Sequence, residues 1–110
     1  MTNLQRLKME LGNKEYFSDE DYSVYLDEEG LKASNEYAKE ANQYALLSTV
    51  IDILEALSNN IDYYRSITTE FTTNSQAYKN LKDRIDELYK KRELLPDYAP
   101  TASKVTYLYY

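Results

Sequence analysis

One stretch dominates what this chain can become. Tyr37, Ala41, Tyr44, Leu47, Val50, Ile51, Leu54 and Leu57 recur at steps of three and four, the spacing of a helix with one buried side. Leu46 and Ile53 fall beside that stripe and widen it, so the helix has neighbours on more than one side. It could start at Ser34 or Asn35 and runs to about Ser58, where "SNN" breaks it. At ~1.5 Å per residue it spans roughly 35 Å. A rod this apolar, in a 110-residue chain, leaves the rest of the sequence to wrap around it.

The remaining segments carry the signals for doing so. Thr2 with Gln5 three residues on has capping-box spacing, Leu4, Leu7 and Leu11 form a stripe, and Gly12 is a stop. In "FSDEDY", Ser18 is an N-cap, and Asp19, Glu20 and Asp21 place negative charge where a helix N-terminus favours it. Phe17 and Tyr22 have the spacing of a hydrophobic staple; Tyr22, Tyr25 and Leu26 point one way, and Gly30 ends this second helix. Ile61 and Tyr64 belong to a short helical turn. "SITTEFTT" is rich in Thr and β-branched residues and reads as an extended arm over about residues 66–74. Asn74 or Ser75 caps a last long helix, with Ala77, Tyr78, Leu81, Ile85 and Leu88 as its stripe and basic residues at its C-terminal end; Pro96 stops it. The expected fold is all-α, a small bundle of four to five helices over residues 1–95. A linker and a β-strand-like tail follow over residues 96–110.

Composition narrows the chemistry. With no Cys and no His, disulfides, thiolate metal sites and the commonest general base are excluded. The acidic "DEDYSVYLDEEG" does not fit a calcium loop: counted from Asp19, the glycine position holds Val24 and the glutamate position holds Gly30. Glu28/Glu29 and Asp86/Glu87 are adjacent on helices and do not face each other. Asp52 and Glu55 read as solvent-facing or interface charges. The sequence contains no Gly-rich phosphate loop, and its serines and lysines have no recognisable activating partner. We therefore expect no enzymatic activity, no metal and no cofactor. The first apolar positions are too scattered for a secretory signal, and Ala45 to Leu57 is too short to span a bilayer, which points to a soluble protein and no membrane partner.

The net charge of −6 is unevenly placed. Residues 15–62 hold twelve acidic and two basic groups, while the segments on either side are mildly basic. Such opposite patches can guide like subunits together; an ordinary solvated acidic surface is the alternative. "YKKRE", residues 89–93, reads as a helix end complementing its dipole rather than as a phosphate-binding patch.

Thirteen tyrosines and no tryptophan form the other bias. Tyr37, Tyr44 and Tyr78 lie on helix stripes and read as core, but Tyr63, Tyr64, Tyr98 and the terminal tyrosines exceed what so small a core can hold. Tyrosine gives large contact area at low entropic cost and is enriched at interfaces. The final "KVTYLYY" puts Val105, Tyr107 and Tyr109 on one face of a strand and Thr106, Leu108 and Tyr110 on the other. A lone strand must find a partner backbone. That partner is another subunit or protein, or its own "SITTEFTT"; failing both, the segment is an unstructured tail. The candidate interface residues are therefore Phe71, Lys104, Val105, Tyr107, Leu108, Tyr109 and Tyr110.

The succession of "LQRLKMELG", "FSDEDYSVYLDEEGL", "ALLSTVIDILEALSNN" and "FTTNSQAYKNLKDRIDELYKK", spanning about residues 3–93, resembles the small head–tail connector (head-completion, neck adaptor) proteins of long-tailed bacteriophages and prophages. The resemblance implies a helical-bundle subunit of a homo-oligomeric, twelve-fold ring beneath the portal, joining capsid to tail in the virion neck after release from the host cytoplasm. Its partners would be the portal protein and the next neck or tail component, with DNA passing through the channel without specific binding. Two other readings are left open: a small phage-encoded regulator or inhibitor acting through its acidic face, and a small DNA-binding packaging or transcription factor that would use Lys90, Lys91 and Arg92.

Overall fold

A computed structural model describes residues 1–68 and 73–95, and these form an all-α bundle of five helices: α1 (Asn3–Glu10), α2 (Asp19–Glu28), α3 (Lys39–Ser58), α4 (Ile61–Thr68) and α5 (Asn74–Glu93). Among the described residues no helix is long and apolar enough to cross a membrane.

The local signals act where the sequence places them. The Gln5 N–H donates to Thr2 Oγ1 at 3.2 Å and the Thr2 N–H to Gln5 Oε1 at 2.8 Å, so the capping box closes on α1. Ser18 Oγ accepts the Asp21 N–H at 3.1 Å at the start of α2, and the Phe17 and Tyr22 rings meet edge to face at 6.2 Å as the staple. Gly30, at φ 85°, turns the chain so that the Leu31 N–H reaches the Leu26 carbonyl and its own N–H reaches Asp27. This double bond satisfies two of the last carbonyls of α2.

α3 is the axis. Ala45 to Ile51 are seven consecutive buried residues, followed by Ile53, Leu54 and Leu57. No single stripe could do this; α1, α2, α4 and α5 all pack against α3. They supply Leu7 and Leu11, Tyr22 and Leu26, and Leu81, Ile85 and Leu88 to the same cluster. Each fully buried aliphatic side chain stabilises by about 1.5–3 kcal/mol. Arg92, near the end of α5, meets Tyr44 and Ser48, near the start of α3, so these two long helices run antiparallel.

Four expectations need correction. α3 begins at Lys39, not at Ser34 or Asn35, because the preceding segment is committed elsewhere. Thr2 and Glu36 form an isolated antiparallel bridge, and the Asn3 and Leu4 N–H groups donate to Asn35 and Ala33 at 2.9 and 3.1 Å. Those are orphan donors of the first turn of α1, and the 33–37 segment satisfies them. The expected arm over 66–74 is helical where it is described at either end: Ser66, Ile67 and Thr68 complete α4 and Asn74 opens α5, with Thr73, not Asn74 or Ser75, as its cap. Ile67 packs on the core, which outweighs the weak helix propensity of this stretch, while the Ser66 and Thr68 hydroxyls bond back to carbonyls of Tyr63, Tyr64 and Arg65. Tyr78 is not core; it is 47% exposed, and Ala77 takes the buried position beside it. Tyr37 and Tyr44 are half-buried.

Candidate interaction surface

Every residue named from sequence as an interface candidate — Phe71, Lys104, Val105, Tyr107, Leu108, Tyr109 and Tyr110 — lies outside the described residues. The same holds for the tail from Pro96 and for residues 69–72 of the arm. Among the described residues there is no strand to which a terminal strand could add. The internal partner considered for it, "SITTEFTT", is helical through Thr68.

The structure instead draws attention to the outer side of α2. That helix turns Tyr22 and Leu26 inward, and its outward stripe is Asp21, Val24, Tyr25 and Glu28, at i, i+3, i+4 and i+7. With Phe17 they line a shallow groove of about 470 Å³. Its apolar part is an aromatic stack. Phe17 lies parallel to Tyr25 at 5.8 Å and to Tyr63 of α4 at 6.4 Å, and Tyr16 stacks on Tyr64 at 5.7 Å. Val24 is 56% exposed, an apolar side chain on the solvent side of its helix.

A buried hydroxyl fixes this arrangement. Tyr22 Oη accepts the N–H groups of Tyr16 and Phe17 at 3.1 and 3.3 Å and donates to the Lys14 carbonyl at 3.2 Å. The Tyr63 hydroxyl donates to the Tyr16 carbonyl. The 14–17 loop is thereby tied to both α2 and α4, and Phe17 is presented at the groove rather than left on a free loop.

Electrostatically the groove is negative. Asp21 and Glu28 flank it, and Glu20 and Asp27 are exposed on the same helix. Two of the basic groups of the N-terminal segment pair elsewhere: Arg6 with Glu10 at 2.8 Å and Lys8 with Asp19 at 2.8 Å.

The far end of α5 is the opposite in sign. In "YKKRE" Tyr89 and Arg92 engage other described residues of the chain. The Arg92 guanidinium sits over the Tyr44 and Tyr89 rings at 5.2 and 5.0 Å and donates to Ser48 Oγ at 2.8 Å. The Tyr89 hydroxyl donates to Glu55 Oε2 at 2.7 Å, which gives that exposed carboxylate a partner. Lys90 and Lys91 are exposed, and Leu94 just beyond them is 85% exposed.

Four groups on these surfaces titrate in one sense. Burial pushes the Tyr22 phenol up, against the two N–H groups it accepts. Burial and then Glu28, Asp21 and Asp52 raise Tyr25; the hydrogen bond to Glu55, then burial, raises Tyr89. The contact with Asp19 raises Lys8. For a raised phenol the unfolded chain loses its proton first as pH climbs past about 10, so it binds fewer protons than the folded chain and stability falls. The Lys8–Asp19 attraction is present below the unfolded lysine value and is lost as pH rises through the folded one. The thermal midpoint is therefore expected to drop between about pH 9 and about pH 11. A flat profile across that window at constant ionic strength would contradict the burial of Tyr22.

Comparison of the chain with protein-family models, with curated proteins and with solved structures finds no match.

Proposed function

We propose that this chain is a head–tail connector of a long-tailed phage or prophage: a non-enzymatic virion component that assembles as a ring below the portal and joins capsid to tail. One observation supports the reading above the others. The four phrases that carry the resemblance correspond one by one to helical elements of a single bundle, α1, α2, α3 and α5, in the expected order and around one central helix. The bundle is wrapped around α3, and its described surface offers the shallow α2 groove.

In this reading the helical domain is the ring subunit, and Lys104, Val105, Tyr107, Leu108, Tyr109 and Tyr110, with Phe71, contact a neighbour, the portal or the next neck component. An acidic exterior suits a channel through which DNA passes without adhering, since like charges repel phosphate. The subunit waits in the host cytoplasm and ends in the virion neck.

The acidic α2 groove favours a second reading, a small phage-encoded inhibitor that presents carboxylates to a basic protein. One experiment separates the two: purified chain is mixed with the portal protein encoded beside it, and the product is weighed by mass photometry and imaged in negative stain. Rings seated on the portal are expected. A chain that stays off the portal but binds a nuclease or repressor, and loses that binding on Asp21→Lys, supports the inhibitor instead.

A further inference from the structure

The α2 groove and the α5 terminus are matched in both chemistry and sign. The groove has an apolar floor of Phe17, Val24 and Tyr25 with a carboxylate at each end, Asp21 and Glu28. The α5 terminus carries one outstanding apolar side chain, Leu94, with Lys91 and Lys90 three and four residues before it, on the same side of the helix. A leucine knob preceded by two lysines matches, in apolar character and in sign of charge, an apolar slot with a carboxylate at each end.

The two patches do not meet within one chain. The groove is built on α2 and the knob on the close of α5, and both helices pack on α3. At 85% exposure Leu94 is not seated in the groove of its own chain.

We infer that the α2 groove of one copy receives Leu94 of the next copy, with Lys90 and Lys91 of that copy against Asp21 and Glu28. The inference rests on the ring-forming reading above and names the contact that would build the ring. Because groove and knob are different surfaces, the contact is heterologous. It leaves a free groove at one end of every pair and a free knob at the other, and repetition closes a ring or runs on as a filament. Leu94 supplies the apolar anchor, the lysine stems cover the aromatic edges, and the opposite charges set the register and speed the encounter.

The chain contains no cysteine, so single thiols report on the contact directly. Val24→Cys and Leu94→Cys proteins are mixed under mild oxidant, with Ser75→Cys, exposed at the start of α5, in place of either as the control. A mixed Val24–Leu94 disulfide dimer is expected to form at least tenfold faster than any pair containing Ser75→Cys. Adding Asp21→Lys and Glu28→Lys to the Val24→Cys chain should abolish it, and Lys90→Glu with Lys91→Glu on the Leu94→Cys chain should restore it. Circular dichroism checks that each variant stays helical. Mixed dimers no faster than the control overturn the inference, and so do Val24–Val24 dimers formed as fast as mixed ones. The two readings fail separately. An Asp21→Lys/Glu28→Lys protein that still forms rings on the portal removes this contact and leaves the connector. A wild-type chain that ignores the portal while the mixed disulfide forms removes the connector and leaves the contact.

Discussion

Replacing Tyr22 with alanine is expected to remove most of the stability of the bundle. The side chain is fully buried and does two things at once. Its ring fills the space between α2 and the Phe17 staple, and its hydroxyl holds the Tyr16 and Phe17 N–H groups and the Lys14 carbonyl. Truncating a buried aromatic to alanine costs about 3–5 kcal/mol. Leaving buried N–H groups without an acceptor adds about 1–3 kcal/mol. Domains of this size hold roughly 5–15 kcal/mol in total, so the variant should sit near its unfolding midpoint at room temperature. Tyr22→Phe isolates the hydroxyl: it keeps the ring and should lose about 1–3 kcal/mol in urea unfolding followed by circular dichroism. A Tyr22→Phe protein as stable as wild type would mean that the 14–17 loop does not depend on this hydroxyl, and the account of how Phe17 is presented would fall with it.

Deleting residues 104–110 is expected to do the reverse, leaving stability intact and abolishing assembly. Among the described residues the buried apolar core runs from Leu7 to Leu88, with Leu95 packed at its edge, and five helices that end by Glu93 build it. The truncated chain should therefore unfold at the wild-type temperature and fail to form rings on the portal. If it unfolds early, "KVTYLYY" belongs to the bundle and is not an intersubunit segment. If it assembles normally, Lys104, Val105, Tyr107, Leu108, Tyr109 and Tyr110 are not the contact residues.

What was legible in the sequence was what is local. Thr2 with Gln5, Ser18, the Phe17–Tyr22 staple and Gly30 each act within one or two turns of themselves, and each behaves as its spacing predicts. The central position of α3 was legible too, because Leu46 and Ile53 break a one-sided pattern. The start of α3 was not: Asn35 to Tyr37 pair with residues 1 to 3, and no local preference carries a contact that distant in sequence. Ser66 to Thr68 look β-forming taken alone and are helical because Ile67 packs on the core. The groove had a faint signal, Val24 on the wrong side of an amphipathic helix, but its aromatic floor depends on Tyr63 arriving from α4. Tyr78 and Tyr63 show the limit of composition, since a tyrosine on a stripe and one off it end up comparably exposed, at 47% and 38%.

The burial of α3 through two full turns has a geometric consequence. Over Ala45 to Ile51 the rod is covered on every side, and its polar side is marked by one stripe only: half-buried Tyr44, Ser48, half-buried Asp52 and exposed Glu55. Hydrophobicity places α3 inside, and that stripe decides which way it faces. The contacts along it, Ser48 and Tyr44 with Arg92 and Glu55 with Tyr89, join that stripe to α5. These weak contacts act as a keyway, and the uniqueness of the fold rests more on them than its stability does.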